Sequence, residues 1–327
     1  MPHPIKTLKT ATSSKAATGL ETVKQSTPVN QSVSALGHHP VLGIDHVFIL
    51  AKNLEKSADC FRRLGFTLSP RGLHSKEQGT ANYTVVFPDD YFELLGIVEE
   101  TPANRAKKHN LETYGEGLYA IAGRIGSALA AKESLAELGF NVTEVQNFSR
   151  PVELPDGKTG IAAFSTVAFK KSEVPNGQVF MCEHKSRDMV WQPELMIHKN
   201  GAIGLKAITL LSSSPEKAGE RYARLFKDGK VKQEDDSVVV TTGKNSANIR
   251  ILSEESYQHH FPFFVIEQIA RNAYAGLAIY VNDLGKTKRA LELSAIPFNE
   301  INKKHIVIAP EYATGTVLEF FEKILSN

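Results

Sequence analysis

Two polar residues interrupt strands that are otherwise apolar, and their chemical types suit the binding of a metal ion. His46 lies within the apolar run 44–50, and Glu93 interrupts the run 91–95. A buried imidazole has two ring nitrogens to satisfy, and a carboxylate is seldom buried without a cation beside it. A core histidine bonded to the backbone would explain His46 alone. The two irregularities together favour a divalent metal site.

One pattern of strands and helices recurs four times along the chain and would position these side chains. In the first unit, residues 44–50 are predicted as a buried strand, and Asn53 and Gly65 as the two ends of the following helix. Further strands are predicted in this unit at 66–68, 83–87 and 91–98. The β-α-β-β-β pattern returns over 118–184, with a second strand at 142–145, and again over 204–252 and 275–321. Such repetition indicates units that bury their apolar faces by pairing.

Length and composition limit the class of protein. The 327 residues suffice for two domains, and we expect a disordered tail over 1–40, which could instead be a targeting segment, followed by module pairs at 41–198 and 199–327. With 38 Lys and Arg against 36 Asp and Glu, the net charge of +2 favours neither nucleic acid nor an anionic membrane as partner. No apolar run is long enough to span a bilayer. Two cysteines without a disulfide framework suggest a reducing compartment, and we expect the cytoplasm.

Four β-α-β-β-β units in two pairs resemble the vicinal oxygen chelate superfamily, which includes glyoxalases, bleomycin-resistance proteins and extradiol dioxygenases. The first half is most similar to its glyoxalase-like domain subfamily. The residues that carry this resemblance are Asp45-His46, Gly65-Phe66, Gly72-Leu73-His74, Gly79-Thr80-Ala81-Asn82, Tyr91-Phe92-Glu93-Leu94 and Cys182-Glu183-His184. The resemblance implies an α+β fold in which each module pair forms an open, curled, mixed β-barrel with helices outside.

The resemblance also implies a ligand set, because members of the superfamily take metal ligands from the first and last strands of paired units. His46 and Glu93 occupy such strands in the first unit. The second unit has Ala120 opposite His46, so His184 in its last strand is the expected third ligand. Glu183 points to the other face under strand alternation, so a regular strand cannot offer both. The predicted metal is Fe, Mn, Zn, Ni or Co.

Two further residues of the first unit are candidate catalytic residues. His74 is either an exposed loop histidine or, as its family-like setting suggests, a fourth ligand or general base. Asn82 either hydrogen-bonds a substrate oxygen or closes a turn. A basic cluster at 105–109 is expected to be a solvated helix face or loop, although it could hold an anionic substrate tail. Glu319 matches the position of Glu93 in the second half, where we expect a relic or a surface residue.

The resemblance favours a metal-dependent lyase or isomerase of glyoxalase type, acting on a small substrate chelated through adjacent oxygens. An Fe(II)-dependent extradiol-type dioxygenase suits the same ligands. A non-catalytic binding or resistance protein is the alternative from a different class. A small-molecule substrate is the expected partner, and the chain is expected to be a monomer or a homodimer.

Overall fold

The structure is a computed structural model that describes residues 38–154, 156–174, 176–264 and 274–323. In this part of the chain, sixteen strands form two eight-stranded mixed sheets and are accompanied by six α-helices. The predicted tail over 1–40 lies outside the described residues, apart from its last three. None of the described helices is long and apolar enough to cross a membrane.

Within each of the four units the elements follow one another in the predicted β-α-β-β-β order, and two further helices lie between units. The first sheet contains β1 Ile44–Ala51, β2 Gly72–Leu73, β3 Thr80–Val86, β4 Tyr91–Ile97, β5 Gly117–Arg124, β6 Gln146–Glu153, β7 Thr159–Ala168 and β8 Gln178–His184. The second contains β9 Ala202–Leu211, β10 Lys230–Glu234, β11 Ser237–Thr241, β12 Asn248–Leu252, β13 Gly276–Val281, β14 Asn299–Asn302, β15 His305–Ile308 and β16 Val317–Glu322. The helices are α1 Leu54–Arg63, α2 Arg105–Tyr114, α3 Ala128–Glu137, α4 Pro215–Ala223, α5 Glu254–His260 and α6 Leu284–Leu293.

The two sheets have the same topology. The first has the strand order β2-β3-β4-β1-β5-β8-β7-β6, and the second has the order β10-β11-β12-β9-β13-β16-β15-β14. In each, two units meet through an antiparallel pair of their first strands, β1 with β5 and β9 with β13. Each first strand pairs in parallel with the last strand of its own unit. The predicted α+β fold of four units in two pairs is therefore confirmed.

The first sheet curls until its two edge strands, β2 and β6, contact each other. Gly72 in β2 lies at this contact, and a Cβ atom there would collide with Asn82 and with the guanidinium of Arg150. The absence of a side chain at Gly72 therefore lets Arg150 reach across from β6 to β2. The curled sheet encloses a concave inner face, which carries the polar residues singled out from the sequence.

Four of the helices, α1, α3, α4 and α6, contribute to one apolar core that both sheets share. In α1, the Asn53 side chain accepts from the Lys56 N–H at the N-terminus, and Leu54, Ala58 and Phe61 form the buried face. Contacts between the two halves include the rings of Phe66 and Phe320, whose centroids are 5.9 Å apart. These helices lie outside the barrels, as predicted, and also join them.

Helix α2 instead covers the concave side of the first sheet, where Leu111 packs against Phe48, Leu95 and neighbouring apolar residues. Its Lys107 side chain is half-buried and lines the space beneath the helix. The expectation of a purely solvated basic cluster at 105–109 is therefore wrong for Lys107. Helix α5 covers the corresponding side of the second sheet, where Tyr257 and Phe261 are buried.

The predicted second strands of the first two units are wrong in position. The chain places β2 at Gly72–Leu73 rather than at 66–68, because Phe66 packs into the shared core. It places β6 at Gln146–Glu153 rather than at 142–145, where Val142 makes only an isolated bridge to Phe169. Both strands lie at the sheet edges, where no apolar run marks them in the sequence.

Candidate metal centre and its cavity

A β-bulge at the start of β1 brings Asp45 to the same side as His46. In the β1–β5 pair, Ile44 lies opposite Gly123 and His46 lies opposite Ala122, so Asp45 is an extra residue. A bulge of this kind interrupts the alternation of side chains and redirects one of them. The Asp45 Oδ2 atom consequently lies 2.8 Å from Nδ1 of His46.

Strand β8 contributes the second imidazole to this cluster. Nε2 of His184 lies 2.8 Å from the same Asp45 Oδ2 atom. Each of the three residues offers one ligand atom, and these atoms all lie within 4.8 Å of one another. The structure thus brings His46 and His184 together, and it adds Asp45, which the sequence analysis did not include among the candidate ligands.

The Asp45 carboxylate is ionised and buried, with only 1% of its surface exposed. Burial opposes ionisation, but hydrogen bonds from His184 and His46 hold the pKa of Asp45 well below its usual range. Arg124 adds a more distant cation, with Nε 3.9 Å from Oδ1. Because an ionised carboxylate only accepts hydrogen bonds, both contacting ring nitrogens carry a proton in this arrangement.

Aromatic rings hold the two imidazoles in place. The Tyr91 ring stacks on His46 with a centroid distance of 4.3 Å and an interplanar angle of 16°. Trp191 meets His184 edge-on at 5.0 Å, while its indole N–H donates to the Phe87 carbonyl at 2.8 Å. The cluster is therefore rigidly supported, as a site that binds a ligand ion without large rearrangement needs to be.

The donor set fits a divalent cation. Two imidazoles and a carboxylate suit Zn, Fe, Mn, Ni and Co, and do not by themselves choose among them. Two buried polar atoms of the cluster, Asp45 Oδ1 and His184 Nδ1, have no hydrogen-bond partner. Buried polar atoms are rarely left in that condition, so the cluster has unused capacity to bind a further group.

His46 also lines a cavity of about 330 Å³ between the concave face of the first sheet and α2. The aromatic part of its wall includes Phe48, Phe148, Phe164 and Phe180. The polar part includes His74, Asn82, Glu93, Lys107 and Arg150. The cavity therefore brings all three remaining sequence candidates, His74, Asn82 and Glu93, into one space with His46.

Glu93 lies opposite Phe48 in the β1–β4 pair, and Asn82 supports its carboxylate. The Asn82 amide N–H donates to Oε2 of Glu93. Asn82 lies inside β3, so it does not close a turn, and its own Oδ1 is buried without a hydrogen-bond partner. Glu93 is thus held in a fixed position on the cavity wall, although it is not one of the three residues in the Asp45 cluster.

His74 is held beside the cavity as a neutral imidazole. Its Nδ1 lies 2.7 Å from the Thr80 hydroxyl oxygen, which fixes the ring. Burial lowers the pKa of His74 to about 4, so the imidazole is neutral near pH 7. Thr80 thus engages Nδ1 of a ring that lines the cavity.

Glu183 lies on the opposite face of β8 from His184, as strand alternation predicts. Its Oε2 atom accepts from the backbone N–H of Ala128 at 2.8 Å, at the first turn of α3. A carboxylate at a helix N-terminus is favoured by the helix dipole. Glu183 therefore binds the N-terminus of α3 and does not face the Asp45 cluster.

Comparison with protein families gives one decisive match. The model of the glyoxalase-like domain family matches residues 44–226, which is more than half of the chain and includes the complete first sheet. The chain belongs to the glyoxalase-like domain family. The family match and the fold place it in the vicinal oxygen chelate superfamily, as the sequence motifs indicated. A comparison with curated proteins found no match.

Several solved structures share the fold of this glyoxalase-like protein at low identity. A hypothetical protein from Staphylococcus aureus is 14% identical with a TM-score of 0.60, over 86% of this chain and 99% of its own. A 4-hydroxymandelate synthase variant from Streptomyces coelicolor is 12% identical with a TM-score of 0.53, over 88% and 94%. Homoprotocatechuate 2,3-dioxygenase from B. fuscum is 10% identical with a TM-score of 0.52, over 88% and 73%. These similarities show the fold.

In the second sheet of this glyoxalase-like protein, an arginine occupies the position that corresponds to Glu93 in the first sheet. Arg250 lies opposite Thr209 in β12, as Glu93 lies opposite Phe48 in β4. Its guanidinium bonds the Glu319 carboxylate, which is completely buried and also lies 2.9 Å from His305. The expectation of a surface position for Glu319 is therefore wrong, because it forms a buried ion pair.

Proposed function

We propose that the protein is a metal-dependent lyase or isomerase of glyoxalase type, acting on a small substrate bound through two adjacent oxygens. The observation that supports this most directly is the position of His46. It belongs to the cluster with Asp45 and His184 and also lines the cavity that contains His74. A cluster whose donor set suits a divalent ion and a neutral imidazole therefore border one cavity.

His46 and His184 would hold the divalent ion together with a carboxylate. Asp45 is the carboxylate in contact with both imidazoles, whereas Glu93 is the ligand expected from the sequence and lines the same cavity. Both carboxylates are candidate metal ligands, and substituting each one in turn shows which of them binds the metal. When bound, Fe, Mn, Zn, Ni or Co supplies Lewis-acid stabilisation of an enolate or enediolate, which lowers the cost of removing a neighbouring proton.

The residues of the chain would orient the substrate and move this proton. Nε2 of His74 would accept the proton from the carbon beside the chelated oxygens, in the neutral tautomer whose Nδ1–H donates to the Thr80 hydroxyl oxygen. The unpaired Asn82 Oδ1 accepts a hydrogen bond from a substrate hydroxyl. Helix α2 covers the cavity and reduces the access of water to the reacting carbon.

The proposed reaction is tested by hydrogen exchange at carbon. Hydroxyacetone and 2-hydroxyacetophenone carry two adjacent oxygens and an exchangeable C–H group, and NMR in D₂O follows its loss. We expect metal-dependent exchange with the wild-type protein and a loss of roughly 10²-fold or more in His74→Gln. His109→Gln, at an exposed position of α2, is the matched control. Absence of exchange with every metal, or full exchange in His46→Ala, would contradict the proposal.

An Fe(II)-dependent dioxygenase of extradiol type is the second candidate. Two imidazoles with one carboxylate suit oxygen activation at iron, and the proteins of similar fold include homoprotocatechuate 2,3-dioxygenase. Oxygen consumption with catechol and 3,4-dihydroxyphenylacetate in the iron-loaded protein would favour this candidate over proton transfer. Binding of such compounds without turnover would instead favour a non-catalytic binding protein.

A further inference from the structure

Arg150 carries a positive charge on the cavity wall that no described residue neutralises by direct contact. The side chain is 6% exposed and lines the cavity from β6. Its guanidinium forms neither a hydrogen bond nor an ion pair within 4.0 Å with any residue that the structure describes. Burying such a cation is unfavourable unless an anion accompanies it. The arrangement is therefore suited to a ligand that brings the missing negative charge.

Lys107 provides a second cation on the facing wall. It projects from α2, is half-buried, and has no hydrogen bond or ion pair with a described residue. The adjacent Lys108 behaves differently, because it is directed outward and pairs with Glu100 and Glu112. Two neighbouring lysines thus have different roles, and only Lys107 adds positive charge to the cavity.

Glu93, the acidic residue on the polar part of the wall, does not cancel these charges by contact. Its Oε2 atom is occupied by the Asn82 amide, and it forms no ion pair within 4.0 Å with Arg150 or Lys107. Burial lowers the pKa of Arg150, and the negative charge of Glu93 partly offsets this shift. An anion that contacts the Arg150 guanidinium would therefore supply the partner that Glu93 does not provide by contact.

The rest of the cavity wall limits the size and polarity of the group that carries this anion. Phe148 and Phe164 stack at a centroid distance of 5.2 Å, and Phe48 and Phe180 continue the apolar surface. The volume of about 330 Å³ lies at the lower end of the range typical of small-molecule sites, which is about 300–1,000 Å³. The ligand is accordingly a small molecule with an aromatic or other apolar body.

We propose that the cavity binds a small organic carboxylic acid, whose carboxylate is held by Arg150 and Lys107 while its apolar body packs on the phenylalanines. A guanidinium matches a carboxylate through two parallel N–H donors. This proposal names the substrate class for the proposed function. It rests on that function in one respect, because it assumes that the two adjacent oxygens of the substrate lie at the His46 side of the same cavity.

Binding of matched acids and amides tests this proposal. Isothermal titration of the purified full-length chain would compare phenylacetate and 3-phenylpropionate with phenylacetamide and 3-phenylpropionamide. We expect the acids to bind at least about tenfold more tightly, because charge-assisted hydrogen bonds are lost in the amides. Arg150→Gln should remove this preference, and Lys107→Gln should reduce it. Lys108→Gln is the matched control and should leave it unchanged.

Two further measurements keep the test decisive. Arg150→Gln removes an uncompensated buried charge, so its unfolding temperature without ligand should equal or exceed that of the wild type. If Arg150→Gln failed to fold, the test would pass to Arg150→Lys, which keeps the positive charge. Retained preference for acids in Arg150→Lys would support the proposal. Loss of that preference in a folded Arg150→Lys variant would overturn it. Equal binding of acids and amides by the wild-type protein would overturn it outright.

The result also separates this proposal from the proposed function. His46→Ala should lose the metal yet keep the preference for acids, since Arg150 and Lys107 do not depend on the ion. If the preference disappeared in His46→Ala, the carboxylate would be bound at the metal rather than at Arg150, and the proposal would be wrong. If the preference were absent while metal-dependent exchange persisted, the proposed function would stand without it.

Discussion

The two carboxylates that neighbour histidines in the sequence show how far the candidate site could be predicted at the scale of single residues. Alternation correctly separated Glu183 from His184, because β8 is regular. The same reasoning would separate Asp45 from His46, but the β1 bulge brings both to one side. A bulge depends on the pairing with β5 and leaves no pattern in the β1 sequence. The adjacent Asp-His pair was the available signal, and it was read only as part of a family motif.

His74 should make folding stability depend on pH. Burial lowers its pKa from an ordinary value of 6.5 to about 4 in the folded chain. Between these values the unfolded chain binds a proton that the folded chain does not, so the contribution is lost as the pH falls from about 7 to 4. We expect His74→Gln to lose less stability over this interval than the wild type. Thermal unfolding at several pH values measures this.

The matched control for this prediction is His109→Gln, since His109 is exposed on α2. Its unfolding temperature should follow the wild-type dependence on pH. If His74→Gln and the wild type lost stability equally between about pH 7 and 4, the buried and neutral state assigned to His74 would be wrong.

At the scale of elements, central strands were predictable and edge strands were not. Residues 44–50 and 91–98 were predicted as strands and differ by one residue from β1 and β4, because their apolar residues and turn signals are clear. The edge strands β2, β6, β10 and β14 were missed or misplaced. Most residues of these strands are exposed, so their sequences lack the apolar pattern on which strand prediction depends.

The ion pair between β12 and β16 should be costly to break from one side only. Glu319→Leu leaves the mostly buried Arg250 without its carboxylate, and we expect the free energy of unfolding to fall by about 3–5 kcal/mol. The double variant Glu319→Leu, Arg250→Met removes both charges and should recover most of that loss. Urea unfolding of the two variants checks this. A double variant no more stable than the single one would contradict the interpretation.

At the scale of the whole molecule, the two sheets depend on each other. Both contribute to one apolar core, and the Phe66 and Phe320 rings from different halves meet in it. Polar contacts cross the same boundary, among them those from Cys60 Sγ to the Tyr312 carbonyl and from the Leu205 N–H to the Asp90 carboxylate. Four internal repeats made the pairing of units predictable from the sequence. The shared core was not predictable, because repetition does not say which outer faces meet.

A fragment of residues 38–200 should therefore not fold by itself. Separation from the second half would expose the apolar face formed by α1 and the strands behind it. We expect an NMR spectrum with poor dispersion for the fragment and a well-dispersed one for the full chain. A stable, well-dispersed fragment would show that the first sheet is an independent domain.

The central claim is that His46 and His184 hold a divalent ion, and metal analysis of the purified full-length chain tests it most directly. We expect close to one equivalent of Fe, Mn, Zn, Ni or Co per chain, which His46→Ala and His184→Ala should lose and His109→Ala should keep. Asp45→Asn and Glu93→Gln then show which carboxylate completes the site. A wild-type chain that binds none of these metals after reconstitution, or a His46→Ala variant with unchanged metal content, would contradict the account.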